Sequence, residues 1–180
     1  MIILGVDPGT LFTGYAVIQC TRAKLKMLES DVIKNPSTNK MPIRLKNIYD
    51  SLVQVIEKYI PDEFAIETAY YGKNVQSTLK LGHARGVSIL AAVNKQIPTT
   101  EYAPREVKKS IVGSGSASKE QVRYMVCQIL KIKLTKKSFD ISDALAVALC
   151  HYNKMINIKT KSINWEDYVN SNPGRVISNL

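Results

Sequence analysis

Four acidic residues occupy positions from which they could act together. Asp7 follows a short, continuous apolar run, Met1 to Val6, and Glu67 closes a second, Glu63-Phe-Ala-Ile-Glu67. Asp140 and Asp143 stand three residues apart at the head of an apolar stretch, so they share one face of a helix that begins by Asp140. Two carboxylates about 4 Å apart repel by roughly 4 kcal/mol at an effective dielectric of about 20. Four converging acids therefore need protons, water or cations. Oxygen ligands select hard ions such as Mg²⁺ or Mn²⁺. Two such ions roughly 4 Å apart can activate water and stabilise the leaving oxygen of a phosphodiester. Each acid also has a plainer reading. Asp7 can open an Asx-turn over Pro8-Gly9, Asp140 and Asp143 can cap a helix, and Glu67 can be a loop acid. The four together, on a chain of net charge +10, favour the metal site.

The chain that must position them has 180 residues, 45% of them hydrophobic, which fits one soluble domain with a core of its own. No apolar run approaches the roughly 20 residues of a membrane span, and the first one lacks the basic flank of a signal peptide. Three widely spaced cysteines and no CxxC fit a reducing cytosol and argue against a zinc ribbon or a disulfide framework. The positive charge points to a polyanion, most commonly nucleic acid. Charge alone does not separate DNA from RNA, or cutting from binding.

Patterning gives the elements in order. Met1 to Val6 reads as a buried central strand, Pro8-Gly9-Thr10 as a turn, Gly14 to Gln19 as an antiparallel return and Lys24 to Ile33 as a third strand. Pro42 to Tyr59 is an amphipathic helix with Ile48, Leu52, Val55 and Tyr59 on one face. After the strand ending at Glu67, a helix is expected from about Asn74 to Lys95, with Val75, Leu79, Gly82, Gly86, Ile89 and Val93 sharing a face. Its two glycines would be tolerated where another backbone approaches closely. Ile97 to Ala103 is a fifth strand and Pro104 to Val112 a short helix ended by Gly113. Ser118 and Gln121 can form a capping box that opens a helix to about Lys131. Ala144 to His151 is an apolar final helix, and Asn153 to Leu180 is polar and weakly patterned, with Trp165 and Tyr168 available to dock it. His83 and His151, the two histidines, read as helix-surface or core residues and not as ligands. This order makes an α/β fold: a mixed five-stranded sheet flanked by helices on both faces, its first and fourth strands parallel neighbours. Ligands in such sheets bind beyond the carboxyl ends of the strands, where Asp7 and Glu67 lie.

Four segments carry a resemblance: ILGVDPGTLFTGYAVI at 3–18, FAIETAYYGKNVQSTLKLGHARGVSILAA at 64–92, YAPREVKKSIVGSGSASKEQVRYMV at 102–126 and DISDALAVALCHY at 140–152. Together they resemble the bacterial RuvC-type Holliday-junction endonucleases of the ribonuclease-H-like superfamily. The resemblance spans about 150 residues in order and combines DPG-x(4)-GY, E-x(6)-N-x(2)-S-x(3)-L-x(2)-ARG and D-x-x-DALA. It implies that Asp7, Glu67, Asp140 and Asp143 bind two Mg²⁺ ions, with Mn²⁺ as a substitute. Lys119 and Lys108 would face the scissile phosphate or the DNA backbone. Tyr70, where the family commonly has phenylalanine, would stack on bases at the junction centre. Lys73 and Arg85 complete the expected DNA-contacting set.

What the resemblance implies is a homodimeric, metal-dependent, structure-selective DNA endonuclease. It would resolve Holliday junctions by paired symmetric nicks during recombination and repair, in the cytoplasm at the nucleoid, beside a branch-migration helicase. The nuclease domain would be residues 1–157, and 158–180 a loosely docked or flexible tail. Three alternatives stand beside it. One is a four-way-junction binding module that does not cut. Another is a ribonuclease-H-like nuclease acting on RNA. The third is an actin-like phosphotransferase, whose phosphate-binding turn Asp7-Pro-Gly-Thr10 also resembles. That class needs two lobes with two such turns, and a single one occurs here.

Overall fold

The computed structural model describes residues 1–21, 24–68, 75–134 and 139–161, with side chains to residue 156. The elements run β1 (Ile2–Asp7), β2 (Phe12–Cys20), β3 (Leu25–Lys34), α1 (Met41–Tyr59), β4 (Glu63–Glu67), α2 (Val75–Val93), β5 (Thr99–Tyr102), α3 (Pro104–Val112), α4 (Lys119–Leu130) and α5 (Phe139–Lys161). The sheet order is β3-β2-β1-β4-β5. β1 is antiparallel to β2, with Asp7 opposite Gly14, and β2 is antiparallel to β3. β1 is parallel to β4, and β4 to β5. The expected mixed sheet is thus present, with strand ends within two residues of those read from the sequence.

β1 is apolar from Ile2 to Val6 because it lies in the middle of the sheet and is covered on both faces. Its side chains alternate between two cores. Leu4 and Val6, with Val17, Phe64 and Ile66, pack against α1 and α2. Ile3, with Ala16, Ile18 and Ala65, packs against α3, α4 and α5. Asp7 shares parity with Ile3, and Glu67 with Ala65, so both acids end their strands on the α5 side.

α5 is the buried helix of the fold. From Ala144 to Cys150 no residue is more than 1% exposed, which explains a stretch that is apolar on every side. It lies directly on the sheet at two glycines. A Cβ at Gly5 would fall 2.4 Å from the Ala144 carbonyl oxygen, and one at Gly14 would fall 2.1 Å from the Asp140 carbonyl oxygen. Only glycine admits so close a backbone approach.

One point the sequence left open, whether the glycine-bearing face of α2 packs inside the fold, is answered, and one expectation needs correction. The α2 face bearing Val75, Leu79, Gly82, Gly86 and Val93 points outward. The buried residues are Ala84, Ser88, Ala91 and Ala92, while Val75, Leu79 and Val93 are exposed. Nothing lies within 4 Å of a Cβ built at Gly82 or Gly86. Of the six face residues, Ile89 alone packs against the core, with Val87 beside it; the fully buried positions of α2 are small residues. The final helix also continues beyond His151, to Lys161. Its continuation is held by polar contacts that hydropathy does not reveal: Asn153 Nδ2 donates to Ser110 Oγ at 3.2 Å, and Lys154 pairs with Glu106 at 2.7 Å. The 157/158 division expected from the sequence falls within this helix. His151 is a core residue, its Nδ1 2.8 Å from the Tyr102 hydroxyl, whereas His83 is exposed.

Candidate active site

Each acid is positioned by a different local device. Asp7 ends β1 just before a tight turn. Within that turn the buried Thr13 hydroxyl donates to the Gly9 carbonyl at 2.6 Å, and Asn35 Nδ2 donates to the Thr10 carbonyl at 3.2 Å. Glu67 ends β4 beside Tyr102 of β5, and the next amide, Thr68 N–H, donates to the Tyr102 carbonyl at 2.8 Å. Asp140 and Asp143 lie in the first turns of α5, as the three-residue spacing required. Lys119 is the first residue of α4, presented by the expected capping box. Ser118 Oγ accepts from Gln121 N–H at 3.3 Å, and Gln121 Oε1 accepts from Ser118 N–H at 2.9 Å.

These devices bring the charged groups to one cavity of about 290 Å³, lined by Asp7, Glu67, Asp143, Lys108 and Lys119, with Leu81, Val107 and Val122 among its apolar walls. Asp140 is outside that lining, but its charge reaches both Asp7 and Asp143. Lys119 Nζ donates to Asp143 Oδ2 at 2.6 Å. Arg85 faces away from this group and pairs with Glu101. Tyr70 and Lys73 lie outside the described residues.

The electrostatics follow from burial and crowding. Burial raises the Asp7 carboxyl well above the usual carboxylate range, and Glu67, Asp143 and Asp140 raise it further against the pull of Lys119. Burial and then the Asp143 charge push Glu67 up to about 7, with Lys119 and Lys108 opposing. Burial also raises Asp143, although its bond to Lys119 works the other way. Burial disfavours the charged form of Lys119, but the bond to Asp143 and the charges of Asp7 and Glu67 outweigh it, and its pKa rises. Such a set of buried, mutually repelling oxygens fits a divalent cation of the hard class. As the side chains lie, with Asp143 held by Lys119, no three His, Cys, Asp or Glu among the described residues are grouped to grip one.

Sequence reading missed the apolar walls Leu81, Val107 and Val122 and the two glycines under α5. An isolated glycine inside a strand pattern was the available signal for the latter.

The sequence profile described as "Crossover junction endodeoxyribonuclease RuvC" matches residues 3–151. The chain belongs to the RuvC family. The protein of that description from Salinibacter ruber is 45% identical over 177 residues, 98% of this chain and 99% of its own length. The one from Shewanella loihica is 49% identical over 152 residues, covering 84% of this chain and 87% of its own length. Among solved structures, Thermus thermophilus RuvC in complex with a Holliday junction substrate matches with a TM-score of 0.80 at 29% identity, covering 86% of this chain and 94% of that one. Family and fold agree: the five-stranded mixed sheet is the ribonuclease-H-like arrangement of the RuvC resolvases. No described helix is long and apolar enough to cross a membrane.

Proposed function

We propose that this RuvC-family chain is a Mg²⁺-dependent crossover junction endodeoxyribonuclease that resolves Holliday junctions by paired nicks in recombination and repair. The observation that carries the reading is the convergence of Asp7, Glu67 and Asp143, from three separate elements, on one cavity with Lys119 and Lys108.

Asp7, Glu67, Asp140 and Asp143 would hold two Mg²⁺ ions, with Mn²⁺ as a substitute. Bound there, the ions would supply a Lewis acid and a water acidified towards hydroxide. The chain's own groups do the rest. With a cation held there, Asp143 would no longer need the Lys119 ammonium, and Lys119 would be free to meet charge developing on the scissile phosphate. Lys108 reaches the same cavity and steadies the DNA backbone. Leu81, Val107 and Val122 exclude water from one side of the cavity. Tyr70 and Lys73 would engage the junction from the segment between β4 and α2.

The active unit is a homodimer whose two-fold axis matches the near-symmetry of a four-way junction. The outward α2 face supports this: Val75, Leu79, Leu90 and Val93 are each at least half exposed, and Gly82 and Gly86 leave room for a second helix. The enzyme would act in the cytoplasm at the nucleoid, with a branch-migration helicase. Residues 1–157 would form the nuclease domain and 158–180 a tail.

The test is a labelled mobile four-way junction with Mg²⁺, beside Asp7→Asn and a linear duplex. Symmetric nicks in the junction alone, lost in Asp7→Asn with binding kept, are expected. Tight binding without nicks from the unaltered protein would support a binding module instead.

A further inference from the structure

α2 is anchored unevenly. From Val75 to His83 no residue of it is buried; burial begins at Ala84 and recurs at Ser88, Ala91 and Ala92. Ser77 and Thr78 make contacts in this stretch, but no side chain there is packed into the core. Leu81, within it, is nevertheless a wall of the acidic cavity. Within one protomer, a helix segment that borders the site is thus held chiefly from its far half; in the proposed dimer Val75 and Leu79 would add a brace on its outward side.

Arg85 stands at the boundary between the two halves. Its guanidinium lies 2.5 Å from the carboxylate of Glu101 on β5, with the two side chains 34% and 36% exposed. Its Nε is buried and has no hydrogen-bond partner among the described residues. Glu101 is in register with Ile66, and the next pair in that ladder is Tyr102 with Glu67. The ion pair therefore ties the helix that supplies Leu81 to the strand beside the one that ends on Glu67. A planar guanidinium fixes direction as well as distance, which an ammonium does not.

We propose that Arg85 and Glu101 are positioning residues: their ion pair sets the angle of the exposed half of α2, and so the distance of the Leu81 wall from Glu67. This rests on the junction-cleaving reading of that cavity. It also gives Arg85 a role other than the direct DNA contact expected from the sequence.

The test compares the unaltered protein with R85A, R85K and the charge-reversed double variant R85E/E101R. Three quantities are read: amide hydrogen exchange over residues 76–84, the nicking rate at saturating junction, and junction affinity with Ca²⁺ in place of Mg²⁺. For R85A we expect exchange at least tenfold faster, a nicking rate about tenfold lower and affinity within threefold of the unaltered protein. The double variant should recover exchange and rate to within threefold, and R85K only in part. Unchanged exchange in R85A would overturn the proposal. So would faster exchange with an unchanged nicking rate, because the pair would then hold the helix without serving the site. An affinity loss as large as the rate loss, worsened by the charge reversal, would mean that Arg85 touches DNA directly. If the unaltered protein cut no junction, the functional reading would fail, while the exchange measurement would still decide whether the pair holds α2.

Discussion

The Lys119 ammonium lies 2.6 Å from Asp143 Oδ2, joining the first residue of α4 to the first turns of α5 across the acidic cavity. Asp143 is 12% exposed and Lys119 57%, so the carboxylate is fixed while the lysine remains free to leave. Replacing Lys119 by methionine removes a counter-charge and, on the proposed reading, a phosphate contact. Nicking should fall by about 10²–10³-fold, in the range of a lost transition-state donor. Divalent-ion affinity, measured by calorimetry on the free protein, should hold or rise, because Asp143 no longer has to exchange an ammonium.

Asp7→Asn separates stability from activity. Asp7 is disfavoured as an anion by burial and by three neighbouring carboxylates. An asparagine keeps the shape and discards the charge. Nicking should be abolished and junction binding retained, while the melting temperature without divalent ions rises by a few degrees. A lower melting temperature would show that Asp7 is structurally required in its charged form.

The raised carboxyls also fix a pH dependence. Glu67 titrates at about 7 in the fold against an ordinary value of 4.5. A group raised in this way favours the folded state fully below its unfolded pKa, and that contribution is lost as pH rises through the folded one. Without divalent ions the protein should therefore lose stability between about pH 4.5 and 7. Added Mg²⁺ should restore it at pH 8 and have little effect at pH 5. Melting curves at the two pH values, with and without Mg²⁺, check this.

Glu29 makes the opposite case. It pairs with Lys58 and accepts from Tyr59 at 2.6 Å and Tyr15 at 2.8 Å, which together hold its pKa at about 2. Its stabilisation is present above its unfolded value and lost as pH falls towards about 2. Glu29→Gln should cost about 1–2 kcal/mol at neutral pH, allowing for its partial exposure. The deficit should vanish in acid. Nicking at pH 8 should be unaffected, because this group lies on β3, far from the acids in the sheet order.

Much of this was legible in the chain, and the reasons differ from place to place. The unbroken apolar run of β1 and the acids at the ends of β1 and β4 mark strands because a buried strand cannot hide its ends. The Ser118–Gln121 box marks the start of α4 because the capping chemistry is local. Which side of α2 is buried could not be read, because its fully buried positions are alanine and serine, and small residues at a close helix contact leave little hydropathic signature. α5 was cut short because Asn153 and Lys154 are fixed by Ser110 and Glu106 of another helix, a tertiary matter that periodicity cannot register. The four acids could be named from the sequence. That Asp143 would be held by Lys119 could not, since it depends on how α4 and α5 are set against each other.

The two glycines beneath α5 set the altitude of the whole acidic group. Gly5 and Gly14 place the Ala144 and Asp140 carbonyls so near the sheet that a single methyl group at either strand position would have to lift the helix. Asp140 and Asp143 ride on that helix, whereas Asp7 and Glu67 stay with the strands. Mutational tolerance at positions 5 and 14 would accordingly behave like that of catalytic residues, although neither has a side chain to offer the substrate. The spacing of the four carboxylates is set by the empty space at two hydrogen atoms.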